Sequence, residues 1–83
     1  MHIRLKLFAN LSAYLPPGAR HNTAEVEVTP GTTPHQVMDL YRIPRDQAHL
    51  VIVNGVFVAP EQRDSRSLNE GDALALWPPV AGG

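Results

Sequence analysis

The chain has 83 residues, of which 43% are apolar and 18% charged, and its formal net charge is −1 at pH 7. A chain of this length makes one domain, and its near-neutral charge gives no electrostatic basis for binding nucleic acid or an anionic membrane. The absence of cysteine excludes disulfides and thiolate chemistry, and the longest apolar run is too short to span a bilayer, so we expect a cytoplasmic protein.

The first part of the chain predicts two strands separated by a helical turn. Apolar and polar residues alternate from His2 to Phe8, which is the period of a half-buried strand. Residues Ala9 to Leu15 change to helical spacing, with Asn10 as the candidate N-cap, and stop at two prolines. Alternation returns from Ala24 to Thr29, and we expect this second strand to form a hairpin with the first, because a lone strand cannot satisfy its backbone hydrogen bonds.

The next segment predicts the main helix. Thr33 is the expected N-cap and Pro34 the first helical residue, where the missing N–H costs nothing. The helix should end near Arg42, because Pro44 disfavours helical geometry at the residue before it. The apolar stripe expected to face the sheet consists of Val37, Met38, Leu40 and Tyr41.

The second half of the chain predicts three more strands. The apolar run His49 to Val53 leads through Asn54-Gly55, a strong signal for a two-residue hairpin, into Val56 to Val58. A charged loop from Pro60 to Arg66 follows, and the last strand is Ala73 to Trp77. We expect the first and last strands to lie side by side and parallel. One helix with a mixed sheet of four or five strands indicates a compact α+β domain over residues 1–77.

The last six residues, 78–83, are predicted to form an extended tail. Pro78 and Pro79 lack a backbone donor and fix φ, so they end the strand and favour a stiff exit, with a reach of about 20 Å for six residues. Gly82 and Gly83 have no Cβ, so this end can enter a slot too narrow for other residues. The terminal carboxylate is then the functional group at the tip, and the reach is supplied by Pro78, Pro79, Val80 and Ala81.

Together these features resemble the MoaD/ThiS sulfur-carrier family, which has the ubiquitin-like β-grasp fold. The resemblance rests on the order of elements, the Val-Asn-Gly hairpin at residues 53–55, the Asn-Glu-Gly-Asp turn at residues 69–72 and the Trp-Pro-Pro-Val-Ala-Gly-Gly ending. The ending, and the helical turn after the opening Leu-Phe-Ala, look more like the molybdopterin synthase small subunit (MoaD) than the thiamine carrier (ThiS).

The resemblance implies a role for the terminal glycine. An adenylating enzyme of the MoeB/ThiF type, related to ubiquitin-activating proteins, would use ATP to couple the Gly83 carboxylate to AMP. Sulfur from a persulfide donor would displace AMP, and the resulting thiocarboxylate would donate its sulfur in a large MoaE-like subunit. Gly83 would then bear the sulfur and Gly82 would provide clearance. The protein would be a carrier or non-catalytic subunit with no metal or bound cofactor of its own.

Other functions fit the same ending. The chain also fits a sulfur carrier of the thiamine pathway, or a ubiquitin-like modifier joined through Gly83 to lysines of other proteins. A β-grasp binding module with an inert tail is a further alternative. A self-contained enzyme is the least supported class, because no constellation of side chains indicates one.

Two aromatic residues are candidates for a partner interface. Trp77 shares its phase with Ala75 and points away from the core face of Leu74 and Leu76, so we expect it on the open side of the sheet. Phe57 is a weaker companion, because a run of three residues does not fix its face. The alternative for both rings is that they complete the core of this small domain. The remaining polar candidates are expected to be solvated rather than catalytic. They are His2, His21, His35, His49, Glu25, Glu27, Ser12, Ser65, Ser67 and the loop Arg63 to Arg66.

Overall fold

The computed structural model describes residues 1–79, and these form a five-stranded mixed sheet with one α-helix packed on it. The predicted α+β fold is confirmed. The elements are β1 (His2–Leu7), β2 (Thr23–Glu27), α1 (Pro34–Leu40), β3 (Leu50–Val53), β4 (Val56–Phe57) and β5 (Ala73–Trp77), connected in part by short 3-10 helices at Ala9–Tyr14, Arg45–Gln47 and Pro60–Gln62. No helix in residues 1–79 has the length and apolar character needed to cross a membrane.

The sheet has the strand order β2-β1-β5-β3-β4, so the first and last strands lie in its middle. β1 and β5 are parallel, in register from Arg4 opposite Ala73 to Leu7 opposite Leu76, as the sequence predicts. The other neighbouring strands are antiparallel. Because parallel neighbours run in the same direction, the carboxyl ends of β1 and β5 meet at one end of the sheet, where the tail begins.

The core lies between one face of the sheet and α1. Val37 and Met38 are fully buried against inward residues of β1, β2, β3 and β5. The expectation that Leu40 faces the sheet is wrong, since its side chain is 61% exposed. At 3.6 residues per turn, Leu40 lies about 110° around the helix from the midpoint between the two buried residues, which places it on the flank.

Both ends of α1 follow known capping patterns. The predicted N-cap is confirmed: the Thr33 hydroxyl accepts a hydrogen bond from the Gln36 amide, and the Gln36 side chain accepts one from the Thr33 amide. The helix ends at Leu40, two residues earlier than predicted, because Arg42 has a left-handed conformation with φ 60°. The amides of Arg42 and Ile43 then bond back to the carbonyls of Asp39 and Met38, which is a Schellman motif.

The predicted helical turn after β1 is a 3-10 helix, and the prediction that Asn10 caps it is wrong. Phe8 occupies the cap position without a side-chain hydrogen bond, and Ala9 turns the chain with φ 53°. Burial of Leu11, at 1% exposure, attaches this helix to the core. The segment is therefore held by packing rather than by a cap.

The Asn54-Gly55 hairpin forms as predicted and is tied to the turn before β5. Both residues have positive φ, at 50° and 83°, as a type I′ turn requires. The Asn54 side chain donates to an Asp72 carboxylate oxygen at 2.8 Å and accepts from the Ala73 amide at 2.9 Å. The other Asp72 oxygen accepts from the Asn69 amide at 2.8 Å. These bonds join the two turn sequences on which the family resemblance rests.

The prediction of a solvated loop at residues 63–66 is wrong for Arg63, which is 5% exposed. Its guanidinium donates to the carbonyls of Val58 at 3.0 Å and of Ala48 and His49 at 3.2 Å each. β4 has only two residues, so a side chain rather than a strand satisfies these carbonyls near the start of β3 and the end of β4. Burial lowers the pKa of the Arg63 guanidinium.

Candidate functional site

The site begins where the chain leaves the sheet. The Trp77 carbonyl accepts a hydrogen bond from the His49 amide at 2.8 Å, and the Leu76 carbonyl accepts one from the Phe8 amide at 3.2 Å. β5 is therefore held on both sides up to its last residue. Pro78 is half-buried and Pro79 is exposed, and neither has an N–H with which to continue the ladder. The predictions for Val80, Ala81, Gly82 and Gly83 concern residues outside the described part of the chain.

Beside this exit lies an apolar surface that faces away from α1. It consists of Leu50, Ile52, Phe57, Ala75 and Trp77, which we call the open apolar face. In the register of the sheet, Leu50 lies opposite Trp77, and Ile52 lies between Ala75 and Phe57. Phe57 is 52% exposed. Apolar patches that remain exposed on a small domain commonly mark sites for a protein partner.

The structure brings the two predicted interface residues onto this one face. Trp77 lies opposite the core face of β5, as its phase indicates, and is partly covered by its neighbours. Phe57 could not be assigned to a face from a run of three residues, and its pairing with Ile52 now fixes it. Their role in binding a partner remains a prediction.

Sequence reasoning missed Phe8, which belongs to this site. Its ring is stacked on the Trp77 ring, with centroids 4.3 Å apart and planes 5° from parallel. The signal that could have found it is the parallel register of β1 and β5. Because Leu7 lies opposite Leu76, the next residue on each strand lies opposite the other and on the outer face.

The other half of the outer sheet surface is charged. Arg4 lies opposite Glu25, and the His2 ring nitrogen is 3.4 Å from a Glu27 oxygen, with both side chains exposed. Lys6 stands between Thr23 on one side and Ala75 on the other. The open apolar face is therefore bordered on its β1 side by basic residues. Glu25 and Glu27 form a solvated face, as expected.

The remaining polar candidates lie elsewhere. His21, His49 and the three serines are exposed. The expectation of a solvated side chain is wrong for His35, which is 15% exposed and has Nδ1 2.9 Å from an Asp64 oxygen. A guanidinium nitrogen of Arg45 lies 3.6 Å from the same Asp64 oxygen. The Arg45 guanidinium also donates to both carboxylate oxygens of Asp39, which lowers the pKa of Asp39. No group of three or more His, Asp and Glu side chains in residues 1–79 is arranged to hold a metal.

An open groove of about 610 Å³ lies at the end of the sheet opposite the carboxyl end of β5. Its lining includes Met1, Val28 and Leu40, which surround the beginning of β1 and the end of β2. Pro79 follows the opposite, carboxyl end of β5. The groove and the end of β5 therefore lie at opposite ends of the sheet, and the open apolar face beside the end of β5 is the candidate site.

Comparison with known proteins places the chain in a family. The ThiS family matches residues 5–83, which is nearly the whole chain. No curated protein sequence shows significant similarity to the chain.

Solved structures share the fold. The crystal structure of SAMP1, small archaeal modifier protein 1 of Haloferax volcanii, is 28% identical, covers 100% of both chains and has a TM-score of 0.68. A putative molybdopterin converting factor subunit 1 from Pyrococcus furiosus is 19% identical over 95% of this chain and 98% of that one, with a TM-score of 0.63. A chain of the molybdopterin-converting factor subunit 1 and 2 complex from Helicobacter pylori is 14% identical over 100% of both chains, with a TM-score of 0.59.

The last two likenesses concern the fold alone, whereas the family match covers the sequence from β1 to the terminal glycine. The β-grasp fold and the resemblance to the sulfur-carrier family are thereby confirmed. The chain belongs to the ThiS family, as a small β-grasp protein of the sulfur-carrier or ubiquitin-like modifier type.

Proposed function

We propose that this protein carries sulfur as a thiocarboxylate on Gly83 and donates it in the biosynthesis of a cofactor, with a molybdopterin-type pathway favoured. The observation that carries the proposal is the open apolar face beside the exit of a tail that ends in two glycines, in a chain of the ThiS family. The Trp-Pro-Pro-Val-Ala-Gly-Gly ending supports the molybdopterin type over the thiamine type.

The chemistry at Gly83 needs activation from outside. A carboxylate is a poor acyl donor, so its oxygen first attacks the α-phosphorus of ATP, and pyrophosphate leaves. The terminal sulfur of a persulfide then attacks the carbonyl carbon, and AMP departs with the electron pair of the broken C–O bond. Reduction of the resulting acyl disulfide by a thiol of the partner enzymes releases the thiocarboxylate. The partners supply every catalytic group, and this chain supplies the acyl end.

The folded domain serves recognition. We assign docking on the adenylating enzyme, and later on a large acceptor subunit, to the open apolar face with Trp77 and Phe57 as its aromatic anchors. The Helicobacter pylori structure of subunits 1 and 2 in complex supports a partner of this kind. Reach from the docked domain to the reacting carbonyl is provided by the tail.

Adenylation is the first step to test. The full chain is incubated with a MoeB/ThiF-like enzyme of the same organism and ATP, and exchange of labelled pyrophosphate into ATP is measured. We expect exchange with the wild type and none after deletion of Gly83. The deletion should leave the melting transition unchanged, because β5 ends at Trp77 and the described core lies within residues 3–76. Exchange that persists without Gly83 would contradict the proposal.

A second candidate is a ubiquitin-like modifier joined through Gly83 to lysines of other proteins. The full-length likeness to SAMP1 at 28% identity favours it. Both candidates share the adenylation step, so the product must distinguish them. Lys6 is the only lysine in the chain. The other amine, the Met1 ammonium group, is engaged in a hydrogen bond to the Val28 carbonyl at 2.8 Å. Lys6→Arg therefore removes the side-chain acceptor within the protein itself. Adducts of high mass that survive Lys6→Arg and vanish on deletion of Gly83 would indicate conjugation to other proteins.

A further inference from the structure

We infer that Phe8 is a positioning residue, which fixes the direction in which the tail leaves the sheet through its stack on Trp77. The inference rests on the proposed function, because a fixed exit matters only if partner enzymes receive the tail. Phe8 itself need not touch the reacting atoms.

The backbone shows why the exit depends on Trp77. The His49 and Phe8 amides hold the last two carbonyls of β5, and no later residue of the described chain adds to the ladder. Pro78 and Pro79 have no N–H to donate and have restricted φ, so they transmit the orientation of the residue before them. Whatever holds Trp77 therefore sets the starting direction of the tail.

The side chain of Trp77 is held by an aromatic stack. Its ring and that of Phe8 lie 4.3 Å apart with planes within 5° of parallel. Leu50 lies opposite Trp77 on the other neighbouring strand, so the indole is flanked on both sides. A stacked aromatic pair contributes a factor of roughly 2 to 12 to an equilibrium constant beyond its apolar burial.

Phe8 can act as a fixed point because its own backbone is held. Its carbonyl accepts a hydrogen bond from the Leu11 amide at 3.1 Å, and Leu11 is fully buried. Directly after Phe8 the chain turns through Ala9, whose φ of 53° lies in the region that side-chain-bearing residues disfavour. Such a conformation persists where the surrounding structure imposes it, and here it turns the chain away while the ring stays over Trp77.

The expected consequence is a change in how often the tail points correctly. When only a fraction of molecules has the competent direction, the apparent affinity is the intrinsic affinity multiplied by that fraction. Loss of the stack should therefore raise KM for adenylation, by at most roughly 12-fold, and leave kcat unchanged.

The experiment uses the full chain and three variants. Phe8→Leu keeps an apolar side chain for a partner to contact but removes the stack, whereas Phe8→Tyr and Phe8→Trp keep an aromatic ring. Trp77 is the only tryptophan, so time-resolved fluorescence anisotropy reports on it alone in the wild type, Phe8→Leu and Phe8→Tyr. Hydrogen–deuterium exchange of the His49 amide, which donates to the Trp77 carbonyl, reports fraying at the end of β5 in every variant. KM and kcat for pyrophosphate exchange complete the set.

We expect Phe8→Leu to add fast motion at Trp77, to speed His49 exchange and to raise KM, and we expect the aromatic variants to restore wild-type values. If Phe8→Leu changes neither the fluorescence anisotropy of Trp77 nor the hydrogen exchange rate of the His49 amide, the inference is overturned. Increased motion with an unchanged KM, or failure of both aromatic variants to restore the wild-type values, would also overturn it. A wild type that is not adenylated would instead contradict the proposed function, and the anisotropy would still decide whether Phe8 holds Trp77.

Discussion

The guanidinium of Arg63 lies over the ring of Phe57, with its central carbon 5.8 Å from the ring centroid. Arg63 is buried and fixed by three backbone carbonyls, whereas Phe57 remains half exposed on the open apolar face. A cation at this distance attracts the aromatic ring. The buried Arg63 thus holds the exposed Phe57 ring in place before a partner binds. This reduces the conformational entropy that the ring loses on binding.

Replacing Phe57 should therefore weaken docking more than folding. We expect Phe57→Ala to reduce affinity for the adenylating enzyme by about tenfold, the effect of removing an interface anchor, while stability changes by about 1 kcal/mol or less. Calorimetric titration and urea denaturation measure the two quantities. The matched control is Val56→Ala, which removes a neighbouring side chain that is 62% exposed on the same short strand but outside the open apolar face. Equal losses of affinity in both variants would contradict the assignment of the face.

Arg63 should be a major contributor to stability despite its charge. Arg63→Ala leaves three carbonyls near the ends of β3 and β4 without their donor, and we expect a loss of about 3 kcal/mol in the free energy of unfolding. Arg63→Lys keeps the charge without the planar fork and should recover part of the loss. The control Arg20→Ala removes an exposed arginine and should cost less than about 0.5 kcal/mol. Urea denaturation of the three variants measures their free energies of unfolding. Similar losses in Arg63→Ala and Arg20→Ala would refute the role of Arg63 in stability.

The end of α1 offers a substitution that should stabilise the protein. Arg42 occupies the left-handed position of the Schellman motif with φ 60°, which glycine adopts at no steric cost. We expect Arg42→Gly to raise the free energy of unfolding by about 0.5–1 kcal/mol after allowance for the greater chain entropy of glycine. Arg42→Ala keeps the Cβ and should give no such gain. If alanine stabilises as much as glycine, the backbone conformation is not the cause.

Local signals in the sequence predicted much of the fold. Period-2 alternation identified β1, β2 and β5, the Asn54-Gly55 pair identified the hairpin, and Thr33-Pro34 identified the start of α1. Each of these features depends on residues within a few positions of one another. The family resemblance, carried by short motifs of the same kind, extended that reading to the β-grasp fold.

Features that depend on contacts between distant segments were missed. Arg63 is buried because β4 is too short to cover the edge of β3, and His35 contacts Asp64, which is 29 positions away in the sequence. Phe8 joins the site because of the register of β1 against β5, whereas the sequence predicted only that the two strands are parallel neighbours. None of these relationships follows from the spacing of residues along the chain, so charge and polarity alone suggested solvated side chains at Arg63 and His35.

The size of the tail tip should control access to the activating enzyme. Gly82→Val adds a side chain where the proposed slot requires none, and we expect pyrophosphate exchange to fall by at least tenfold while the melting temperature is unchanged. Ala81→Val adds similar bulk one residue earlier and should reduce exchange less. Unchanged exchange with Gly82→Val would refute the clearance argument, and an equal loss in both variants would assign the effect to bulk anywhere in the tail.

Intact-mass spectrometry tests the central claim, that Gly83 carries sulfur, most directly. The wild type and the Gly83 deletion are incubated with the adenylating enzyme, ATP and a persulfide donor, and each mass is compared with a sample that lacks ATP. The proposed function predicts a gain equal to the exchange of one oxygen for one sulfur in the wild type, located in the C-terminal fragment, and no gain in the deletion. An unchanged wild-type mass in the presence of active adenylation, or the same gain in the deletion, would contradict it.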